Sequence, residues 1–219
     1  MPKEENPHDL DEWVQHSIGK EGICTIIDWA ARFSYWVSPE VYHEVQVVYP
    51  KTRRKHPDEQ DRSLVGGIAV WLNQPASKAF WSALGERPQS HTPSNYRNFI
   101  LCHIYEGSAH DPEHFTNLAN LTIFPRSLES FSEWEPVRAV LKWHSFKLYG
   151  YIGPRKTPPT EPEYYPLRWP GVRNHDPETL RTIVADLQEK LERRPTYYSK
   201  KEIVTAPETQ GSDKALGKN

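Results

Sequence analysis

Apolar residues recur at helical spacing along the first stretch of the chain, on Leu10, Trp13, Val14 and Ile18, behind an Asp9 suited to capping a helix. Gly19 and Gly22 interrupt the pattern. It resumes over residues 23–36 on Ile23, Ile26, Ile27, Ala30, Phe33 and Trp36, and Ser38-Pro39 closes it. Alternation then takes over: Val41, His43, Val45, Val47 and Tyr49 on one face predict a strand over 41–49. Residues 63–84 predict helix, broken at Pro75, with Asn73 capping a second piece whose face is Phe80, Ala83 and Leu84.

The middle of the chain fits two periods. Tyr96, Phe99, Ile100, His103 and Ile104 suit a helix, whereas Phe99, Leu101, His103 and Tyr105 suit one face of a strand. Gly107 and Pro112 force a turn, Leu118 to Phe124 predicts a strand, and Pro125 opens a helical stretch through Phe131. Pro136 suits the first turn of a helix carrying Val137, Val140, Leu141, His144 and Leu148 inward, ended by Gly150 and Gly153. Six prolines in residues 154–170 exclude regular structure, while Tyr164, Tyr165 and Trp169 can pin that strap to the surface. Asp176-Pro177 starts a last amphipathic helix, 177–194, on Leu180, Ile183, Val184, Leu187 and Leu191.

These elements predict an α+β fold: a mostly helical single domain over residues 9–195 with a small β element in its middle. A flexible N-terminus of residues 1–8 and a disordered polar tail of residues 196–219 are expected to flank it. A length of 219 residues supports one core, and eight Trp, eleven Tyr and seven Phe imply that rings fill it. The net charge of −2 argues against a broad nucleic-acid coat, because affinity for phosphates needs excess cations. Cys24 and Cys102 alone give no disulfide framework, residues 1–15 lack the form of a signal peptide, and no apolar run is long enough for a bilayer. A cytoplasmic, reduced protein is the expectation.

Chemistry concentrates between Cys102 and Asn120, where Cys102, His103, His110, Asp111, His114, Asn117 and Asn120 surround one predicted turn. Imidazole, carboxylate and amide groups gathered this way can hold a metal and activate water. The stretch Leu101-Cys102-His103-Ile104-Tyr105, followed by Asn117-Leu118-Ala119-Asn120-Leu121 and Pro125, resembles the ββα-metal region of HNH-type endonucleases; the phrase FTNLANLTIFPRSLESFSEW is similar to stretches in bacterial HNH-like proteins. The resemblance covers about residues 99–134 and implies metal-dependent phosphodiester hydrolysis of nucleic acid. It implies His103 as general base, Asn120 as the residue orienting it, and Glu129 or His114 as contact to a divalent metal, Mg or Zn. Cys102 stands where an acidic or histidine ligand is usual, and Trp134 where a helix ligand is expected.

Other readings compete. Arg97-Asn98, four residues and then His103 resembles the R-N-x4-H pattern of HEPN ribonucleases, which implies a metal-independent site on one helix. The run Lys51, Arg53, Arg54 and Lys55, together with Arg97, offers phosphate contacts. A non-catalytic nucleic-acid- or protein-binding subunit of a larger complex is the alternative from another class, with the strap 154–170, the last helix or the tail as contact surface. His110 and His114 are equally explained as solvated loop residues, and Asn117 and Asn120 as turn formers.

Overall fold

In the computed structural model, residues 10–49, 52–54, 63–65, 68–72, 76–86 and 97–192 are described. Helix α1 (Leu10–Phe33) runs through both predicted segments. Gly19 breaks it, at φ 60° and ψ −176°, while Gly22 stays helical. The expected strand over 41–49 is instead a short helix, α2 (Pro39–Glu44). Ser38 caps it, accepting from the Val41 N–H, and Pro39 fills its first turn, so local capping overrides the alternating valines.

The predicted helix over 63–84 also divides differently. Strands β2 (Ser63–Val65) and β3 (Ile68–Leu72) pair antiparallel, β1 (Thr52–Arg53) joins β3 in parallel, and α3 begins only at Ala76 and ends at Ala83. Gly66-Gly67 between two β-rich runs is the hairpin signal for this unit. Asn73 and Pro75, the expected cap and break, lie outside the described residues, as do residues 1–8 and 196–219.

The two-period segment resolves as a strand. β4 (Phe99–His103) pairs antiparallel with β5 (Leu121–Pro125), His103 standing opposite Leu121. A short 3-10 helix (Arg126–Phe131) leads into α4 (Glu135–Tyr149), closed by Gly150 at φ 68°. The strand, loop, strand, helix order read from the sequence is therefore the order of the fold. Strap 154–170 has no helix or strand, and α5 (Pro177–Glu192) starts behind Asp176, whose carboxylate accepts from the N–H groups of Glu178 and Thr179.

One core gathers α1, α2, α3, the β4–β5 hairpin, α4 and α5 around Phe80, Phe124, Leu118, Leu121, Ile123, Leu141 and Leu187, all fully buried. Aliphatic side chains fill its centre, and the rings, expected to dominate, lie mostly toward its edge. The strap is pinned by them: Trp169 stacks on His144 at 3.5 Å and lies 6.1 Å from Trp36, while Tyr165 meets His144 Nδ1 through its hydroxyl at 2.6 Å. No helix among the described residues is long and apolar enough to cross a membrane.

Candidate functional site

The loop between β4 and β5, residues 104–120, folds back over the end of β4. Neighbouring segments hold it. The Leu118 N–H donates to Gln46 O at 2.8 Å, the Val48 N–H to Thr116 O at 3.3 Å, and the Arg54 N–H to Ala109 O at 2.7 Å. From inside, Asn120 ties the loop to itself. Its Oδ1 accepts from the Tyr105 N–H at 3.2 Å, and its Nδ2 donates to Ser108 Oγ and to His114 O, each at 2.9 Å. Asn120 is fully buried, so those bonds replace all contact of its amide with water.

His103 ends β4 with its ring stacked on Phe115, centroids 5.4 Å apart and planes 9° from parallel. Its Nε2 lies 3.0 Å from Phe115 O; a carbonyl only accepts, so Nε2 carries the proton and Nδ1 keeps the lone pair. Nδ1 makes no hydrogen bond among the described residues. Burial lowers the His103 pKa to about 4, and the nearby charges of Arg54 and His110 push the same way against the Phe115 bond. The ring is neutral at pH 7.

Asn120 does not touch this ring. It fixes the carbonyl of His114, one residue before the carbonyl that holds His103, and so orients the imidazole through the loop backbone. Arg54 is exposed, and its carbonyl accepts from His110 Nδ1 at 3.1 Å. Its guanidinium has no carboxylate partner among the described residues. Arg53 is 3% exposed and donates through Nη1 to Arg54 O, so it is a buried support rather than a phosphate contact. Lys51 and Lys55 lie outside the described residues.

The expected metal contacts are not brought together. Successive strand residues point to opposite faces. Cys102 accordingly looks away from His103, toward Ser132, Glu129 and Glu133, and burial there pushes its thiol up to about 12. Glu129 belongs to that side. His114 meets the Tyr151 hydroxyl at 2.7 Å through Nδ1, and its Nε2 lies 3.9 Å from Asp111 Oδ2. No group of three or more His, Cys, Asp or Glu side chains suited to a metal ion occurs among the described residues. Among the described residues, the donor set around His103 does not fit a divalent ion.

The pattern read as a helical ribonuclease signature also separates. Arg97 is exposed in the turn before β4, and along a strand its six-residue offset from His103 spans about 20 Å. Sequence reasoning missed the roles of Phe115, Ser108 and Tyr151. Phe115 follows a histidine and precedes Thr116-Asn117 in a loop, and an aromatic there carried no signal of an imidazole platform. No family model, curated protein or solved structure matches this chain.

Proposed function

We propose that the 99–125 hairpin and its loop form a phosphodiester site for nucleic acid on an HNH-like scaffold, with His103 as proton acceptor and Arg54 as the phosphate-holding cation. The observation that carries this reading is the half-spent imidazole. Phe115 fixes one nitrogen and one ring face of His103, and the ring feels the charge of Arg54, whose guanidinium has no carboxylate partner among the described residues. Such a base is positioned before substrate arrives.

With no set of metal ligands around His103 among the described residues, the chemistry that suits them is attack by the 2′-hydroxyl of RNA on its own phosphorus. His103 Nδ1 takes the hydroxyl proton, the new P–O bond forms, and the 5′-oxygen leaves with a proton from water. A bound phosphate next to the ring raises its basicity, offsetting part of the loss caused by burial. Arg54 holds the nonbridging oxygens, whose charge grows in the transition state.

The test is incubation of the full chain with RNA and with plasmid DNA in Mg²⁺, Mn²⁺ or chelator, beside His103→Ala and Arg54→Ala. RNA cleavage that survives chelator, vanishes in His103→Ala and falls at least about tenfold in Arg54→Ala supports the reading. Cleavage seen only with metal and lost in His103→Ala returns it to metal-dependent hydrolysis. Equal inertness of all three proteins with retained RNA binding makes the hairpin a binding site of a non-catalytic subunit.

A further inference from the structure

A second surface lies where α1 meets the strap. Thr25, Asp28, Trp29 and Arg32 on α1 and Tyr164, Leu167 and Arg168 on the strap line a cleft of about 380 Å³. Its apolar members are not sealed. Trp29 is 53% exposed and Leu167 98% exposed, and Phe33, one turn beyond Trp29, is 46% exposed. Three large apolar side chains left open to water at one cleft form the kind of patch that marks a binding surface.

Charge decides what such a surface takes. Asp28, the only carboxylate lining the cleft among the described residues, accepts the Tyr164 hydroxyl at 2.8 Å. Arg32 leans over the Phe33 ring at 5.8 Å, and neither Arg32 nor Arg168 has a carboxylate partner among the described residues. Farther along α1, Lys20 is paired with Glu163 at 2.5 Å, so that end of the α1–strap contact is neutralised while the Trp29 end keeps two guanidiniums. A flat indole in one cleft with guanidiniums that have no carboxylate partner among the described residues is the combination that holds single strands, the base on the ring and the backbone on the cations.

We propose that this cleft binds single-stranded nucleic acid, one base against Trp29 and its phosphates between Arg32 and Arg168. The cleft's volume admits a single nucleotide. Duplex DNA, whose bases are stacked inside, has no ring face to offer Trp29 and binds weakly. The inference requires binding alone, so it stands on residues separate from the hairpin and does not depend on turnover there.

The probe is a fluorescein-labelled 12-nucleotide thymidylate strand, titrated by anisotropy in chelator against the full chain, Trp29→Ala and the Arg32→Glu/Arg168→Glu double variant. Expected is at least about tenfold weaker binding in Trp29→Ala. The double variant is expected to bind more weakly still, its log Kd against log salt shallower by about 1.4, as two lost phosphate contacts require. The duplex of the same strand binds at least tenfold more weakly than the single strand. Because Trp29 is half exposed, thermal unfolding of its variant matches the parent and excludes misfolding as the cause. Parent-like affinity in Trp29→Ala and the double variant overturns the proposal. So does failure of the parent to bind the strand, including the case in which Trp29→Ala instead releases a co-purifying protein; RNA cleavage by the hairpin would be untouched by either result.

Discussion

Replacing Asn120 by alanine tests the loop lock most directly. The side chain is fully buried and makes three hydrogen bonds, one accepted from the Tyr105 N–H and two donated, to Ser108 Oγ and His114 O. A net value of about 1 kcal/mol per bond gives about 3 kcal/mol. The Tyr105 N–H is then left in the interior without a partner, while the His114 carbonyl keeps only the longer bond from the Asn117 N–H at 3.3 Å, which brings the loss to about 3–5 kcal/mol. That is a large part of the 5–15 kcal/mol typical of a domain, so the variant folds but melts early. Equilibrium urea unfolding followed by tryptophan fluorescence measures it, with an unchanged slope confirming that stability alone has moved. Asn120→Asp keeps the shape and the acceptor but loses both donors and sets a carboxylate against the His114 carbonyl. It is at least as damaging as alanine at pH 7 and recovers part of the loss in acid, where the protonated acid regains a donor. A loss below about 1 kcal/mol in Asn120→Ala would refute the assignment of these bonds as the lock.

Three further outcomes follow from single contacts. Gly153→Ala places a Cβ 2.4 Å from the Tyr105 ring at a residue with φ +70°, and a loss of at least about 2 kcal/mol in the same urea assay is expected. His103 and His144 are held neutral in the fold, at about 4 and about 3 against about 6.5 when unfolded, so the unfolded chain takes up their protons first. Stability is full above about pH 6.5 and falls as pH drops toward 4 and then 3; urea midpoints at pH 7, 6, 5 and 4 read this, and His103→Ala flattens the segment above pH 4. Cys102, its thiol raised to about 12 by burial, resists iodoacetamide in the native chain at pH 8 and reacts in urea, as mass mapping of the alkylated peptide shows.

What was legible in the sequence follows a physical division. The hairpin, α4 and α5 announce themselves because their caps and breakers agree with their apolar period: Pro125, Pro136, Gly150 and Asp176-Pro177 all stand at element ends. Residues 39–44 misled because valines at alternate positions also fall at the i and i+4 spacing of a helix, and Val41 and Val45 are buried on the inner side of α2. The Ser38-Pro39-Glu40 start outweighed the β preference. In the candidate site, His103 at the strand end and Asn120 at the loop's close were readable from type and spacing. Their relation was not: a bond passed through two consecutive backbone carbonyls leaves no mark on side-chain identity. The Trp29 cleft was equally hidden, since Ile23, Ile26, Ile27 and Ala30 mark the inner side of α1 and Trp29 reads as one more apolar residue near it.

The parity of β4 sets a last prediction, on Glu129. The resemblance offers it as a metal contact, substituting for the helix ligand whose expected place Trp134 takes. Yet the charge of Glu129 is felt by Cys102, whereas His103 feels Arg54 and His110, and adjacent strand residues cannot share a face. An ion at His103 would have to draw carboxylates from its own side, where Asp111 already lies 3.9 Å from His114. Glu129→Gln, at an exposed position, should therefore change stability by less than about 0.5 kcal/mol and leave cleavage in Mg²⁺ or Mn²⁺ within about twofold of the parent. Asp111→Asn, beside His114 in the same loop, should abolish any metal response that exists. If Glu129→Gln instead removes metal-dependent cleavage more than tenfold while Asp111→Asn does not, the two faces of β4 communicate through a metal, and the alternation argument that separates them is wrong.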